Sequence, residues 1–455
     1  MNDTARHRTA FLLLIAGIAL SPLPFGGATA WFDSAFVSGM GAILALWCVG
    51  ECAARRPAAP AAEKAIRLAA MLYAGVFAWG AFQAWMPVPF GVAHPVWRDA
   101  TALLGGVSGP FLSVNPEASV RGLLRLGGYA CVFFLCYRLG SDERRARTVL
   151  VAVTAAATLS AAYGIVSWIA GSGTVLWYER TFEAGNLSAT FPNRNAFADY
   201  AALGLICALA LIRLRAGRPD AAGPGGWLWS VAIFLKYVIG RSWLLLYAAL
   251  ALFAALLLTH SRAGIGAAIL ACIVFFACAA RGTASGRTTV LGALLVVPVA
   301  GFLMWAAGAG MTERLAKLPD ASVERLTIYR LTAGLIAERP LLGTGLGTFA
   351  DVFPAVRTPD IRPRIDFAHN SYLENALEMG IPAALAFYLS LGLVAGIFVR
   401  AQIRRTAAQP WPAVGIAATV LVASHALFDY AVQFPAVALT LAAILGTATA
   451  RCATR

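Results

Sequence analysis

Apolar runs long enough to cross a lipid bilayer recur along this chain from residue 11 to residue 450. A hydrocarbon core of about 30 Å is crossed by about 20 apolar residues in a helix. Composition agrees with that reading: 60% of residues are hydrophobic and 13% charged, and the mean hydropathy is +0.72. These values lie outside the soluble class. The fold class read from the sequence is all-α, a polytopic integral membrane protein. Spans are expected at 11–28, 34–52, 67–85, 119–138, 148–171, 195–213, 243–259, 263–280, 288–308, 372–399, 411–428 and 434–450, twelve in all. The N-terminus resembles a signal peptide, with Arg6 and Arg8 ahead of Phe11 to Leu20 and then Ala28-Thr29-Ala30. It reads as a retained first helix, because another helix follows after a short turn. Trp227 to Tyr237 is apolar but short, and reads as an interfacial or re-entrant piece.

The net charge of +14 invites a nucleic-acid reading, but Lys and Arg collect on cytoplasmic loops of membrane proteins. With a cytoplasmic N-terminus and twelve spans, inside segments hold 22 of the 36 Lys/Arg residues. Eight of the others sit in one long loop, and long loops translocate largely regardless of charge. No nucleic acid is expected as a partner; membrane lipid is. The eight cysteines form no CxxC pair and no Cys/His cluster, and read as small core residues. No cofactor and no metal are expected.

That long loop, Gly310 to Ser371, is the one extended polar interruption. Loops of such length are functional or disordered. The expected organisation is membrane helices over 1–308, a periplasmic loop or lid over 309–371, and membrane helices over 372–455. Within the loop, Ser322 to Arg339 has helical period, with Val323, Leu326, Tyr329, Ala333 and Ile336 as its apolar stripe. Asp320 or Ser322 can cap its start, and Arg339-Pro340 ends it. Arg325 and Arg330 flank the stripe. Leu342-Gly343-Thr344-Gly345-Leu346-Gly347-Thr348 reads as a turn whose backbone can pass close to another segment. It is no dinucleotide fingerprint, since no strand precedes it.

The topology opens four polar clusters on one outer face, as a site requires. They are Phe191-Pro192-Asn193-Arg194-Asn195, Thr259-His260-Ser261-Arg262-Ala263-Gly264, the long loop with His369, and His425-Ala426-Leu427-Phe428-Asp429-Tyr430. Arg262, at a turn between helices, offers a donor fork that suits a diphosphate, or else it snorkels. His260 reads as a supporting residue. Ser371 and Glu374 fit a capping box, S-x-x-E, which leaves His369 and Asn370 just outside a helix N-terminus that favours an anion. A histidine there can take a proton near neutral pH. Glu374 and Glu378 share a helix face and read as structural. His425 and Asp429, four apart, can hydrogen-bond one another. Asn193, Arg194 and Asn195 either contact sugar hydroxyls or cap the next span. Arg121 and Arg125, one turn apart, either meet an anionic headgroup or snorkel.

Four elements, in order, resemble the superfamily of O-antigen ligases and polymerases. They are Ala189 to Ala198 around Pro192-Asn193-Arg194-Asn195, Thr259-His260-Ser261-Arg262-Ala263-Gly264, Glu324 to Arg330 through Arg339-Pro340 to Phe349, and Ala368-His369-Asn370-Ser371-Tyr372-Leu373. The resemblance implies a GT-C-like membrane glycosyltransferase that takes a glycan from a polyprenyl-diphosphate carrier at the periplasmic face of the inner membrane. A ligase places it on the lipid A core of lipopolysaccharide, and a polymerase places it on another lipid-linked repeat. By the same resemblance Arg262 and one loop arginine, Arg325 ahead of Arg330, hold the diphosphate, and His369 acts at the acceptor. No paired carboxylates suit a covalent glycosyl intermediate, so an inverting displacement is favoured. The ligase reading leads. A polymerase, an anion transporter and a non-catalytic scaffold are its rivals.

Overall fold

A computed structural model describes residues 3–53, 64–106, 109–179, 185–216, 226–280, 318–359, 361, 364–404 and 409–453. The helices in chain order are α1 (Asp3–Leu20), α2 (Ala30–Ala53), α3 (Lys64–Trp85), α4 (Val96–Leu104), α5 (Pro116–Leu139), α6 (Glu143–Ile169), α7 (Arg194–Ala216), α8 (Gly226–Leu258) and α9 (Arg262–Ala280). They continue as α10 (Leu318–Glu338), α11 (Phe349–Val352), α12 (Ser371–Met379), α13 (Ile381–Arg404), α14 (Trp411–His425) and α15 (Pro435–Ala453). The described strands are one two-residue hairpin, Thr174–Val175 against Tyr178–Glu179. Among the described residues, eight helices are long and apolar enough to cross a membrane: α2, α3, α5, α6, α7, α9, α13 and α15. Ser242–Leu258 and Trp411–His425 are shorter apolar helices. The protein is an all-α polytopic membrane protein. The expected span at 288–308 lies outside the described residues.

Helix starts follow their capping residues. Asn115 accepts from Ala118 N ahead of Pro116, and Asp142 accepts from Arg145 N ahead of Glu143, the usual devices for satisfying free N–H groups. α7 and α15 lie at the centre, far more enclosed than α2, α3 or α13. Small residues let backbones approach, as expected where lipid supplies no hydrophobic drive between helices. A side chain on Gly446 of α15 would collide with the Phe133 carbonyl of α5.

Three expected elements differ in the structure. The span at 372–399 is broken at Gly380 (φ 79°, ψ 154°) into α12 and α13. There the chain 340–345 packs backbone to backbone: Ile381 N donates to Pro340 O and Gly345 N to Glu378 O. The segment around Trp227 is helical and abuts the next helix directly, since α8 runs from Gly226 to Leu258 through a kink at the non-helical Ser242 (φ −130°, ψ 20°). The first helix begins earlier than expected, at Asp3, and ends at Leu20.

The described part of the long loop folds into a cap with its own core. Ile328, Leu335, Ile336, Phe349, Val352, Phe353, Ile361, Ile365 and Ala368 pack together with Leu377 of α12. The buried face of α10 therefore runs through Ile328, Thr332, Leu335 and Ile336, sharing only Ile336 with the expected stripe. Val323 and Leu326 are 59% and 60% exposed. The stacked rings of Phe349 and Phe353, 4.9 Å apart, form a broad apolar floor that selects the former face.

Candidate functional site

Asp429 stands in the segment after α14. The helix ends at His425, and the backbone folds back so that Phe428 N and Asp429 N both donate to His425 O at 2.9 and 3.0 Å. This turns the Asp429 carboxylate inward, where it is 1% exposed. Its Oδ1 accepts from Tyr430 N at 2.8 Å. Its Oδ2 accepts from Asn195 Nδ2 at 2.5 Å. Arg325 Nη2 lies 3.7 Å and His369 Nδ1 3.9 Å from the same oxygen. Both are too long for direct hydrogen bonds. Burial alone would push the Asp429 carboxyl up, but the donor and cationic side chains around it, His425 and Arg325 among them, outweigh it and hold the group below the usual carboxylate range.

His369 has φ +54°, a conformation uncommon outside glycine and found at functional sites. Both flanks fix it. Its carbonyl accepts from Tyr329 Oη of α10 at 2.7 Å, and Ala368 N donates to Glu374 Oε2 at 2.8 Å. The imidazole sits edge-on to Tyr430, ring centres 4.8 Å apart. Tyr430 is stacked on Phe367, and its hydroxyl accepts from Asn193 Nδ2 at 2.9 Å. Arg325 Nη1 also donates to Phe428 O at 3.2 Å, and Asn370 Nδ2 to Leu427 O at 3.1 Å. The start of α7, the cap helix α10, residues 367–370 and residues 426–430 thus meet at one point.

Residues 247–388 match the family described as O-antigen ligase. That stretch, under a third of the chain, is similar to the O-antigen ligase family. The matched stretch holds Arg262, Arg325, Arg330, His369 and Asn370, while Asn195, His425 and Asp429 lie outside it. No curated protein matches the chain.

The cap of α12 sits one residue earlier than expected. Asn370 is the N-cap of α12, its side chain accepting from Tyr372 N and Leu373 N at 3.0 and 3.1 Å. Glu374 does not close the box. It holds Ala368 N through one oxygen and Gln433 Nε2 through the other. Burial, then the neighbouring Glu378, push its carboxyl well above the ordinary range. Glu378 accepts from Gly347 N at 2.7 Å and Phe349 N at 3.1 Å. It pins the glycine-rich turn, where a side chain on Gly343 (φ +69°) would strike the Glu378 carbonyl.

The expected His425–Asp429 side-chain pair is not made, because the helix ends between them and the two no longer share a face. His425 Nδ1 instead lies 2.7 Å from Asp199 Oδ1 on α7. Sequence reading missed Asp199. Its signal was present, a carboxylate inside an apolar span, and such residues are functional by default. Asn193 both caps α7, accepting from Asn195 N and Ala196 N, and reaches Tyr430. Arg194 is the first residue of α7 and is half-buried.

Arg262 opens α9, exposed, after Ser261 Oγ accepts from Gly264 N at 3.2 Å. His260 precedes it at φ +52°. A side chain on Gly264 would stand 2.8 Å from Ala198 Cβ, so this turn lies against α7 one residue from Asp199. Arg330 is exposed and makes no hydrogen bond or ion pair among the described residues. The structure does not bring Arg121 and Arg125 into the cluster. Arg121 faces Glu117 at 3.7 Å, and Arg125 grips Asp33 of α2 with two bonds of 2.8 Å.

Proposed function

We propose that this protein is an O-antigen ligase. It transfers a glycan from undecaprenyl diphosphate to the lipid A core of lipopolysaccharide, at the periplasmic face of the bacterial inner membrane. One observation carries the reading: Arg325, His369, Asn195 and Asp429 converge from four segments beside the Arg262 turn. The topology that goes with it has twelve spans and a cytoplasmic N-terminus, with 309–371 as the outer lid between 1–308 and 372–455.

In this mechanism Arg262 and Arg325 hold the diphosphate. As the glycosidic bond breaks, its electron pair leaves on the diphosphate, and fixed guanidinium donors favour that growing charge. His369 takes the proton of the acceptor hydroxyl as its oxygen bonds to the anomeric carbon. The displacement is single and inverting. Asp429 and Asn195 hold the histidine and arginine in place, and Asn370, Asn193 and Arg194 line the approach for sugar hydroxyls. Arg330 and Arg121 are the basic residues left for more distant contact with donor or headgroup, while Arg125 is engaged by Asp33.

The test is transfer by purified protein from a defined lipid-linked donor, with core lipid and lipid-linked repeat offered as rival acceptors. Glycan appearing on core lipid supports the ligase. Growth of the lipid-linked repeat alone would make the protein a polymerase. Movement of an anionic solute with the donor untouched would end the enzyme reading.

A further inference from the structure

Asp199 and His425 are buried against one another behind the cluster, their side chains 1% and 0% exposed. The roles assigned above do not use this contact. We propose that Asp199 and His425 are a positioning pair that stores a positive charge behind Asp429, and so keeps His369 neutral with its Nε2 lone pair ready for the acceptor hydroxyl. The inference rests on the transferase reading.

The balance of charges leads to it. Two carboxylates, Asp199 and Asp429, are buried here, and an uncompensated buried charge costs several kcal/mol. Arg325 supplies one positive charge. Glu374, its carboxyl raised by burial, supplies no further negative one. One more positive charge makes the group neutral, and it must come from His425 or His369. Coulomb attraction grows as separation and local dielectric fall. His425 lies 2.7 Å from its carboxylate and is wholly enclosed, whereas His369 lies 3.9 Å from Asp429 and is 17% exposed. The proton therefore belongs on His425. Its Nε2 has no hydrogen-bond partner among the described residues, so its charge acts through space on Asp429. Were His425 neutral, the second charge would fall to His369, whose Nε2 would then carry a proton and could accept none.

The groups around His369 are Asp429 and Tyr430 after α14, Arg325 and Tyr329 on α10, Glu374 on α12, Asn195 and Asp199 on α7, and His425 on α14. His260 and Arg262 stand at the neighbouring turn. Of these, Asp199 and His425 alone form a fully enclosed pair.

The experiment is the pH dependence of glycan transfer by the purified full-length protein. His425→Gln should move the acid limb about one unit towards higher pH, which is about a tenfold loss on that limb. Asp199→Asn removes a carboxylate and with it the need for the second positive charge, so it should leave the limb near wild type, and adding it to His425→Gln should bring the limb back. An acid limb unmoved in active His425→Gln protein would overturn the inference. A wild-type protein that transfers to neither acceptor would instead remove the transferase reading. Histidine-selective NMR of the wild type serves where the variants do not fold. His425 charged and His369 neutral at pH 7 supports the pair, and the reverse overturns it.

Discussion

In the membrane bundle, α5 and α15 touch because Gly446 leaves room for the Phe133 backbone. In the cap, by contrast, buried carboxylates hold irregular backbone in place: Glu374 on Ala368 N, Glu378 on Gly347 N and Phe349 N. Side chains of the bundle finish the work. Gln83 donates to Leu342 O and Trp79 to Met379 O, and Arg339 of the cap returns two bonds to Val92 O and Ala93 O. Regular helices satisfy their own N–H and C=O groups, so lipid-facing segments need shape before polar partners. A cap with few long helices must find a partner for each buried polar group. The site lies where the two kinds of construction meet, with Asp429 and Asn195 from the bundle and Arg325 and His369 from the cap side.

The largest expected effect breaks that junction. His369→Ala should lower transfer by about 10²- to 10⁴-fold, the usual worth of a positioned base, with protein level unchanged. Full transfer by a well-expressed His369→Ala protein would mean that the junction is only a scaffold.

Arg125 tests the bundle side. Its partner Asp33 is 3% exposed, and removing one member of a buried pair costs about 3–5 kcal/mol. Arg125→Ala should therefore unfold at clearly lower temperature in detergent, while transfer per folded molecule stays near wild type. A loss of transfer at unchanged stability would make Arg125 a donor contact instead.

Glu378 tests the cap side, through pH. Burial raises its carboxyl from 4.5 to about 7, against the pull of the Gly347, Phe349 and Thr348 N–H groups. The folded cap thus holds this proton more tightly than the unfolded chain does. That contribution is complete below about 4.5 and is lost as pH rises through about 7. Limited proteolysis within 339–371 should be slower at pH 5 than at pH 8. Glu378→Gln should flatten this dependence and leave one backbone N–H without its acceptor, a cost of about 1–3 kcal/mol. Equal cleavage at both pH values in the wild type would remove Glu378 as the pin.

The same division explains what could be read without coordinates. Hydropathy placed α2, α3, α5, α6, α7 and α15 close to where they lie, because a lipid-crossing helix is specified within its own 20 or so residues. Of the four polar clusters expected on one face, members of three meet: Asn195, Arg325 with His369, and Asp429. What failed depended on partners far along the chain. The S-x-x-E pattern pointed to Ser371 as cap, yet Asn370 takes that place because Glu374 is drawn to Ala368 and Gln433. His425 was matched with its near neighbour Asp429, whereas Asp199, 226 positions away, holds it. The break at Gly380 was hidden inside an apolar run, since its cause is the backbone of residues 340–345.

The smallest expected effect separates the two arginines of α10. Arg325 points at the junction, 3.7 Å from Asp429 and bonded to Phe428 O. Arg330 lies on the exposed side of the same helix, clear of the face formed by Ile328, Thr332 and Leu335. Replacing an exposed residue without such contacts changes stability by about 0.5 kcal/mol or less. Arg330→Ala should therefore retain cap stability and most of its transfer, whereas Arg325→Ala should lose transfer by about 10²-fold, as when one fixed donor to a developing anion is removed. Measuring both at saturating and at limiting donor sharpens the contrast. If Arg330 meets the diphosphate only in the loaded site, its variant will fall at limiting donor. If it never does, both rates will stay near wild type, and the anion-holding face of α10 narrows to Arg325.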